Sequence, residues 1–168
     1  MINAAVLTIS DSVSAGKRAD ASGPAVRERL ERLGWSVSAM EVLPDEAGLI
    51  SARLATLASG NQVAAIFTTG GTGVAARDVT PEATRAVIER EIPGIGELMR
   101  SHGRQSTPLA ALSRGLAGIR GGVLIVNLPG SPTGAVESLD GIIDVVPHLL
   151  QLLRGETAHG ATAKRPEL

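Results

Sequence analysis

Cysteine and tyrosine are absent from this chain, and Trp35 and Phe67 are its only aromatic residues. Without cysteine there is no disulfide framework, no thiolate nucleophile and no cysteine-based metal site. Two aromatic side chains give no platform on which bases could stack. Charge of one sign is also missing: 16 Lys and Arg face 17 Asp and Glu, for a net charge of −1. With no dense basic cluster, a nucleic-acid surface is not expected. No run approaches the ~20 uninterrupted apolar residues of a membrane span. The opening segment is strand-like rather than a basic and then apolar leader, so a cytoplasmic location is expected. His102, His148 and His159 sit in unlike surroundings without ligand spacing, so a zinc site is not supported.

What is abundant is small and aliphatic. Hydrophobic residues make up 43% of the 168 residues, and 20 are glycine. A core of Ala, Val, Leu and Ile follows, with close helix–sheet contact where glycine allows it. One domain is expected over residues 1–154. The Gly-, Ala-, Thr- and charge-rich residues 155–168 read as a flexible tail.

Apolar periodicity alternates between strand and helix. Ala4–Ile9 reads as a strand, then Ser10–Ser22 as a polar loop. Val26, Leu30 and Leu33 mark a helix that Gly34 ends. Trp35–Val42 alternates as a strand. Ala47–Ala58 is a helix with Ile50, Leu54 and Leu57 as its stripe, and Val63–Phe67 is the next strand. Pro81 to about Arg90 reads as helix, Ile95 to about Ser101 as another, and Thr107-Pro108 opens a short one. Leu116–Arg120 and Val123–Val126 flank Gly121-Gly122 as a hairpin. A last helical region runs from about Ala135 to Leu153, with a bend at Pro147. The pattern predicts a three-layer α/β domain: a mostly parallel sheet, helices on both faces and an antiparallel edge hairpin.

Two loops carry the chemistry. The strand ending at Phe67 runs into Thr68-Thr69-Gly70-Gly71-Thr72-Gly73, and then Arg77-Asp78 precede Thr80-Pro81, which read as N-cap and first helical residue. Glycines there let backbone N–H groups line an anion. The second strand, Val123–Val126, runs into Asn127-Leu128-Pro129-Gly130-Ser131-Pro132. Two such crossovers suggest one ligand crevice at the carboxyl ends of the strands. Asp45 and Asp78 each follow a strand and precede a helix. Either they cap those helices, or they converge on the crevice as oxygen ligands for Mg²⁺ beside a phosphate. For Arg114 and Lys17, a phosphate contact and a plain surface or ion-pair role both remain open.

Thr69-Gly70-Gly71-Thr72-Gly73, followed by Arg77-Asp78-Val79-Thr80-Pro81-Glu82-Ala83, resembles the central signature of the MogA/MoaB family of molybdenum-cofactor biosynthesis proteins. Leu128-Pro129-Gly130-Ser131-Pro132 resembles that family's second signature. Thr8-Ile9-Ser10-Asp11-Ser12 and Leu43-Pro44-Asp45-Glu46 are similar to two further elements, in the same order. The resemblance spans about residues 1 to 154 and reaches gephyrin-type G domains. It implies adenylyl transfer from ATP to molybdopterin, with Asp45 and Asp78 catalytic and holding Mg²⁺. It also implies substrate and nucleotide contacts from Ser10, Asp11, Thr69, Gly70, Gly71, Thr72, Gly73, Ser113, Arg114, Pro129, Gly130 and Ser131. A homotrimer is implied, with the molybdate-inserting enzyme of the same pathway as partner. A MoaB-type paralogue that binds molybdopterin without adenylylating it is the alternative. The chain departs from the family pattern at Val74-Ala75-Ala76, and at Thr133-Gly134, where a basic residue is common.

Overall fold

The computed structural model describes residues 1–156. Six strands form one sheet: β1 (Asn3–Ile9), β2 (Ser36–Leu43), β3 (Ala65–Thr69), β4 (Arg90–Glu91), β5 (Ala117–Arg120) and β6 (Val123–Leu128). Their spatial order is β2-β1-β3-β6-β5-β4. β2, β1, β3 and β6 run parallel, while β5 is antiparallel to both β6 and β4. The helices are α1 (Asp11–Ser14), α2 (Ser22–Arg32), α3 (Ala47–Ser59), α4 (Thr80–Arg85), α5 (Pro93–Gly103), α6 (Pro132–Asp140) and α7 (Val146–Leu153), with a 3-10 turn at Pro108–Leu112. None is long and apolar enough to cross a membrane.

The central strands bury both faces, so their sequences are continuous apolar runs. Val6, Phe67, Leu124, Val126 and Leu128 pack with Val26 and Leu30 of α2 and with Leu139 and Val146 of α6 and α7. Leu7, Ile9, Ile66 and Ile125 point the other way, onto Ile50 and Leu54 of α3 and Val87 beyond α4. This is the expected three-layer α/β arrangement. The chain moves outward from β1 to β2 and returns on the far side of β1 to β3. The loops after β1 and β3 therefore part at a topological switch point, where α/β sheets open a crevice.

Four expectations need correction. The polar loop after β1 contains α1, whose first turn Ser10 caps by accepting from the Val13 N–H. Leu33 is not in the buried stripe of α2 but exposed. The helix from Pro81 stops at Arg85, and the chain beyond it supplies β4, which adds one more strand outside the expected antiparallel hairpin of β5 and β6. The reason lies across the sheet. A Cβ on Gly118 would stand 2.5 Å from Ile88 Cδ1, so the bare glycine makes a slot that draws Ile88 alongside β5. The last helix is two helices broken near Gly141, with Pro147 in the first turn of α7 rather than at a mid-helix kink. Gly141 leaves room for His102 of α5, whose Cβ lies 2.7 Å from where a side chain would begin. Of the expected tail, Gly155 and Glu156 still close the α7 C-terminal turn. Residues 157–168, with His159, lie outside the described residues.

Candidate active site

The site is built around the turn that follows β3. Gly70 and Gly71 have φ of +96° and +65°, conformations that side chains rarely adopt. Space forbids a side chain as well. A Cβ on Gly70 would lie 2.2 Å from the Ile9 carbonyl oxygen, and one on Gly71 would lie 2.3 Å from Thr80 Oγ1. The carbonyls of the turn are all taken by the protein. The Thr80 hydroxyl donates to Gly70 O at 2.9 Å and the Thr80 N–H to Gly71 O at 3.1 Å. The Arg114 N–H donates to Thr72 O at 2.8 Å, and Arg114 Nε donates to Gly73 O at 2.6 Å. Among the described residues, the N–H groups of Gly71, Thr72 and Gly73 find no such partner. A turn with its carbonyls bound and its N–H groups free is a receptor for an anion.

The second loop closes on the first. Gly70 N–H donates to Leu128 O at 3.1 Å, and a Cβ on Gly130 would stand 3.2 Å from Gly70 Cα. Ser131 caps α6 by accepting from the Gly134 N–H at 3.1 Å. Two cavities open on either side of this junction. One, of about 320 Å³, is lined by Thr72, Gly73, Ser113, Pro129, Gly130 and Ser131. The other, of about 560 Å³, is lined by Ser10, Asp45, Gly70, Gly130 and Ser131, together with Ser22.

Both expected carboxylates reach the turn, and neither caps the helix that follows it. The N-caps of α3 and α4 are Glu46 and Val79, without side-chain bonds. Thr80 is likewise the first residue of α4, not its cap. Asp45 Oδ1 lies 3.0 Å from the Cβ position of Gly71, and Asp78 Oδ2 lies 2.8 Å from that of Gly73. Asp78 Oδ2 accepts from the Ala75 N–H at 2.9 Å. Asp45 and Asp11 are joined reciprocally: Asp11 N–H donates to Asp45 Oδ2 at 2.8 Å, and Asp45 N–H to Asp11 Oδ1 at 3.0 Å. Arg77 then grips both Asp11 oxygens.

Their surroundings push these acids apart. Burial raises the Asp45 pKa above the usual aspartate value, against the Asp11 N–H, and the charges of Asp11 and Asp78 add to the rise. The Arg77 hydrogen bond holds Asp11 below that value, helped by the Asp45 N–H. Two hard carboxylates beside an anion-binding turn suit Mg²⁺, which takes further oxygens from phosphate and water. Among the described residues no cluster of three or more His, Cys, Asp or Glu would hold a metal by itself.

Some expected ligands face inward. Thr69 is fully buried and shares a 2.7 Å hydrogen bond with Ser22, so its hydroxyl is structural. Thr68 is buried too, accepting from Asn127 Nδ2 at 3.1 Å. Arg114 spends its guanidinium on Gly73 O, Asp78 O and Glu82, and so braces the turn from behind. Sequence reasoning missed Arg100, which holds the Ser113–Gly115 segment by donating to Gly115 O at 3.0 Å. It also missed Asp20, which accepts from Thr8 Oγ1 at 2.7 Å and from the Gly23 N–H at 3.1 Å. An Asp three residues before Gly23-Pro24 was a readable helix-entry signal; Arg100 gave none.

Gly70→Ala combines a forbidden φ with a backbone clash, and is expected to destabilise the fold by at least about 2 kcal/mol. A chemical denaturation midpoint equal to wild type would contradict this. For Asp45, a pKa raised on folding contributes stability below the unfolded value and loses it as pH climbs through the folded one. Its charge is thus a cost at neutral pH. Asp45→Asn keeps the acceptor for Asp11 and should melt at or above the wild-type temperature at about pH 7. A clearly lower melting temperature there would contradict the assignment.

A model of the family described as probable molybdopterin binding domain matches residues 5–150. A Helicobacter pylori (strain J99) protein named molybdopterin adenylyltransferase is 41% identical over 156 residues, covering 92% of this chain and 89% of its own. The Escherichia coli K12 protein of the same name is 39% identical over 170 residues, covering 89% and 84%. The crystal structure of the molybdopterin biosynthesis enzyme MoaB from Thermus thermophilus superposes with a TM-score of 0.87 at 49% identity, covering 92% of this chain and 98% of that one. With this match across the sheet, both loops and the carboxylates between them, the chain belongs to the molybdopterin-binding domain family of molybdenum-cofactor biosynthesis proteins.

Proposed function

We propose that this protein is a molybdopterin adenylyltransferase acting as one domain over residues 1–154. The observation that carries the reading is the turn at Gly71–Gly73, whose carbonyls are bound, whose N–H groups have no partner among the described residues, and which Asp45 and Asp78 border at Gly71 and Gly73. A terminal phosphate oxygen of molybdopterin attacks the α-phosphorus of ATP. The bond from that phosphorus to the bridging oxygen of the β-phosphate breaks, and pyrophosphate leaves with the electron pair. The products are molybdopterin-AMP and pyrophosphate. Such a transfer needs alignment and charge neutralisation more than covalent help.

The turn N–H groups hold a phosphate without reorganising, because Thr80 and Arg114 have fixed the backbone beforehand. Ser10, Ser113, Pro129, Gly130 and Ser131 line the two cavities and offer the substrates their short polar and backbone groups. Asp45 and Asp78 would hold Mg²⁺, which when bound would neutralise the charge that develops on the phosphates. Without Thr133-Gly134 carrying a basic residue, positive charge must come from elsewhere in the site. The proposed location is the cytoplasm. The product passes in this reading to the molybdate-inserting enzyme of the same pathway.

The test is release of pyrophosphate from ATP that depends on both molybdopterin and Mg²⁺. Its absence, with molybdopterin still bound, would favour a MoaB-type paralogue that binds without turnover. Asp78→Asn keeps the acceptor for Ala75 and removes the charge. Turnover should fall by roughly a hundredfold, equivalent to about 2.7 kcal/mol of barrier, with molybdopterin binding retained. Unchanged turnover at saturating ATP would reduce Asp78 to a turn former.

A homotrimer belongs to the same proposal. Ile95 of α5 packs in the core, whereas Leu98, Leu109 and Leu112 are exposed on the α5 side. Sedimentation should give three times the chain mass, and a stable monomer would remove the claim.

A further inference from the structure

Arg77 and Asp11 pair at the surface beside Asp45, 66 residues apart in sequence. Arg77 Nε donates to Asp11 Oδ2 at 3.0 Å, and Nη2 donates to Oδ1 and Oδ2 at 2.8 and 2.7 Å. The two side chains remain 63% and 47% exposed. An ion pair this open to water contributes little to the fold, so a better partner can take either member. Arg114 is the contrasting case. Its guanidinium cannot turn to a ligand without releasing Gly73 O and Asp78 O.

The neighbourhood asks for a mobile cation. Asp11, Asp45, Asp78 and Glu46 concentrate negative charge around the turn, with Asp45 and Glu46 close enough to act on Arg77. A polyphosphate entering there needs positive charge that moves towards it. Arg77 adjoins Asp78, whose carboxylate borders Gly73, and it holds the Asp11 carboxylate that receives the Asp45 N–H. A guanidinium fork matches phosphate oxygens as well as carboxylate, and a pyrophosphate group offers more charge than one aspartate.

We infer that Arg77 is a polyphosphate clamp held in reserve by Asp11. When ATP binds, Arg77 exchanges the Asp11 carboxylate for the β- and γ-phosphates. When pyrophosphate departs, Asp11 competes for Arg77 again and so speeds release. Asp11 does not drift meanwhile, because Oδ1 still accepts the Asp45 N–H and its own N–H still donates to Asp45. The inference rests on the adenylyl-transfer reading for its ligand, and it adds a residue and a competitor that the reading does not require.

The two partners should act with opposite sign, which separates a clamp from a pin. Calorimetric titration with ATP in the presence of Mg²⁺, with inorganic pyrophosphate and with AMP tests this on the full chain. Arg77→Gln should weaken ATP and pyrophosphate by about tenfold, and Arg77→Lys by less, since the charge remains without the fork. Asp11→Asn keeps an oxygen for the Asp45 N–H but loses its hold on Arg77, and should tighten both ligands by about threefold or more. AMP, which lacks the outer phosphates, should bind all variants equally. Thermal melts confirm that each variant is folded. If Arg77→Gln and Asp11→Asn both weaken ATP, the pair is a structural pin and the inference is overturned. Unchanged affinities overturn it too. If wild type binds neither ATP nor pyrophosphate, the adenylyl-transfer reading fails first and takes the clamp with it.

Discussion

The proposed function rests on one tight turn, Gly70-Gly71, wedged between the end of β1 and the start of α4. Ile9 O closes off one side and the Thr80 hydroxyl the other. Neither wall has room for a methyl group, so the backbone itself becomes the working surface. Thr80 and Arg114 occupy the carbonyls, while the N–H groups of Gly71, Thr72 and Gly73 are left without a partner among the described residues. The result is positive partial charge in a place already crowded by Asp45 and Asp78. An anion receptor pressed against two carboxylates is electrostatically unsettled when empty. A cation between them, as proposed for Mg²⁺, or the proposed swing of Arg77 beside them, would resolve that conflict.

Support for the turn comes from further back. Arg100 of α5 ties down the Ser113–Gly115 segment, and Arg114 in that segment ties down the turn. Glu82 of α4 completes the brace, with Arg114 holding its carboxyl below the usual glutamate range. Two arginines thus act in series through backbone carbonyls. Beneath them Asn127 links β6 to β3 and α4 by donating to Thr68 and Thr84 at 3.1 and 2.9 Å. Its Oδ1 has no partner among the described residues. A buried unpaired oxygen costs stability, which the fold accepts where three elements must keep register under the site.

Which parts of this were legible in the sequence follows from the range of the forces involved. Gly70, Gly71, Gly130, Asp45 and Asp78 stood out because turn chemistry is local and glycine needs no partner to explain it. β1, β3 and β6 stood out because burial on both faces leaves continuous apolar runs, and the edge strand β2 because it alternates. Other features depend on distant residues. Ile88 leaves helical periodicity for a slot at Gly118, 30 residues on, and so β4 appears where a helix was expected. Gly141 breaks the last helix where His102 packs on it. Thr69 and Arg114 were chemically plausible ligands. Only the fold reveals that Ser22 claims one and that Gly73, Asp78 and Glu82 claim the other. Polar residues in a signature loop advertise chemistry without saying whether it faces substrate or scaffold.

Asp11 and Asp45 show how surroundings divide labour between identical side chains. Asp11 lies at the surface with an arginine on both oxygens, so its charge is favoured and its role is that of a counter-ion. Asp45 receives one N–H and is partly buried, so its charge is disfavoured until something positive arrives. Because the two are bonded to each other, whatever draws Arg77 from Asp11 also changes the field at Asp45. Groups whose environments drive their pKa values apart mark out separate tasks in a site. Under the proposed clamp, Asp11, whose two oxygens already hold Arg77, is the one that trades partners with an arriving phosphate. Asp45, whose charge burial disfavours, is the one that a neighbouring positive charge would relieve.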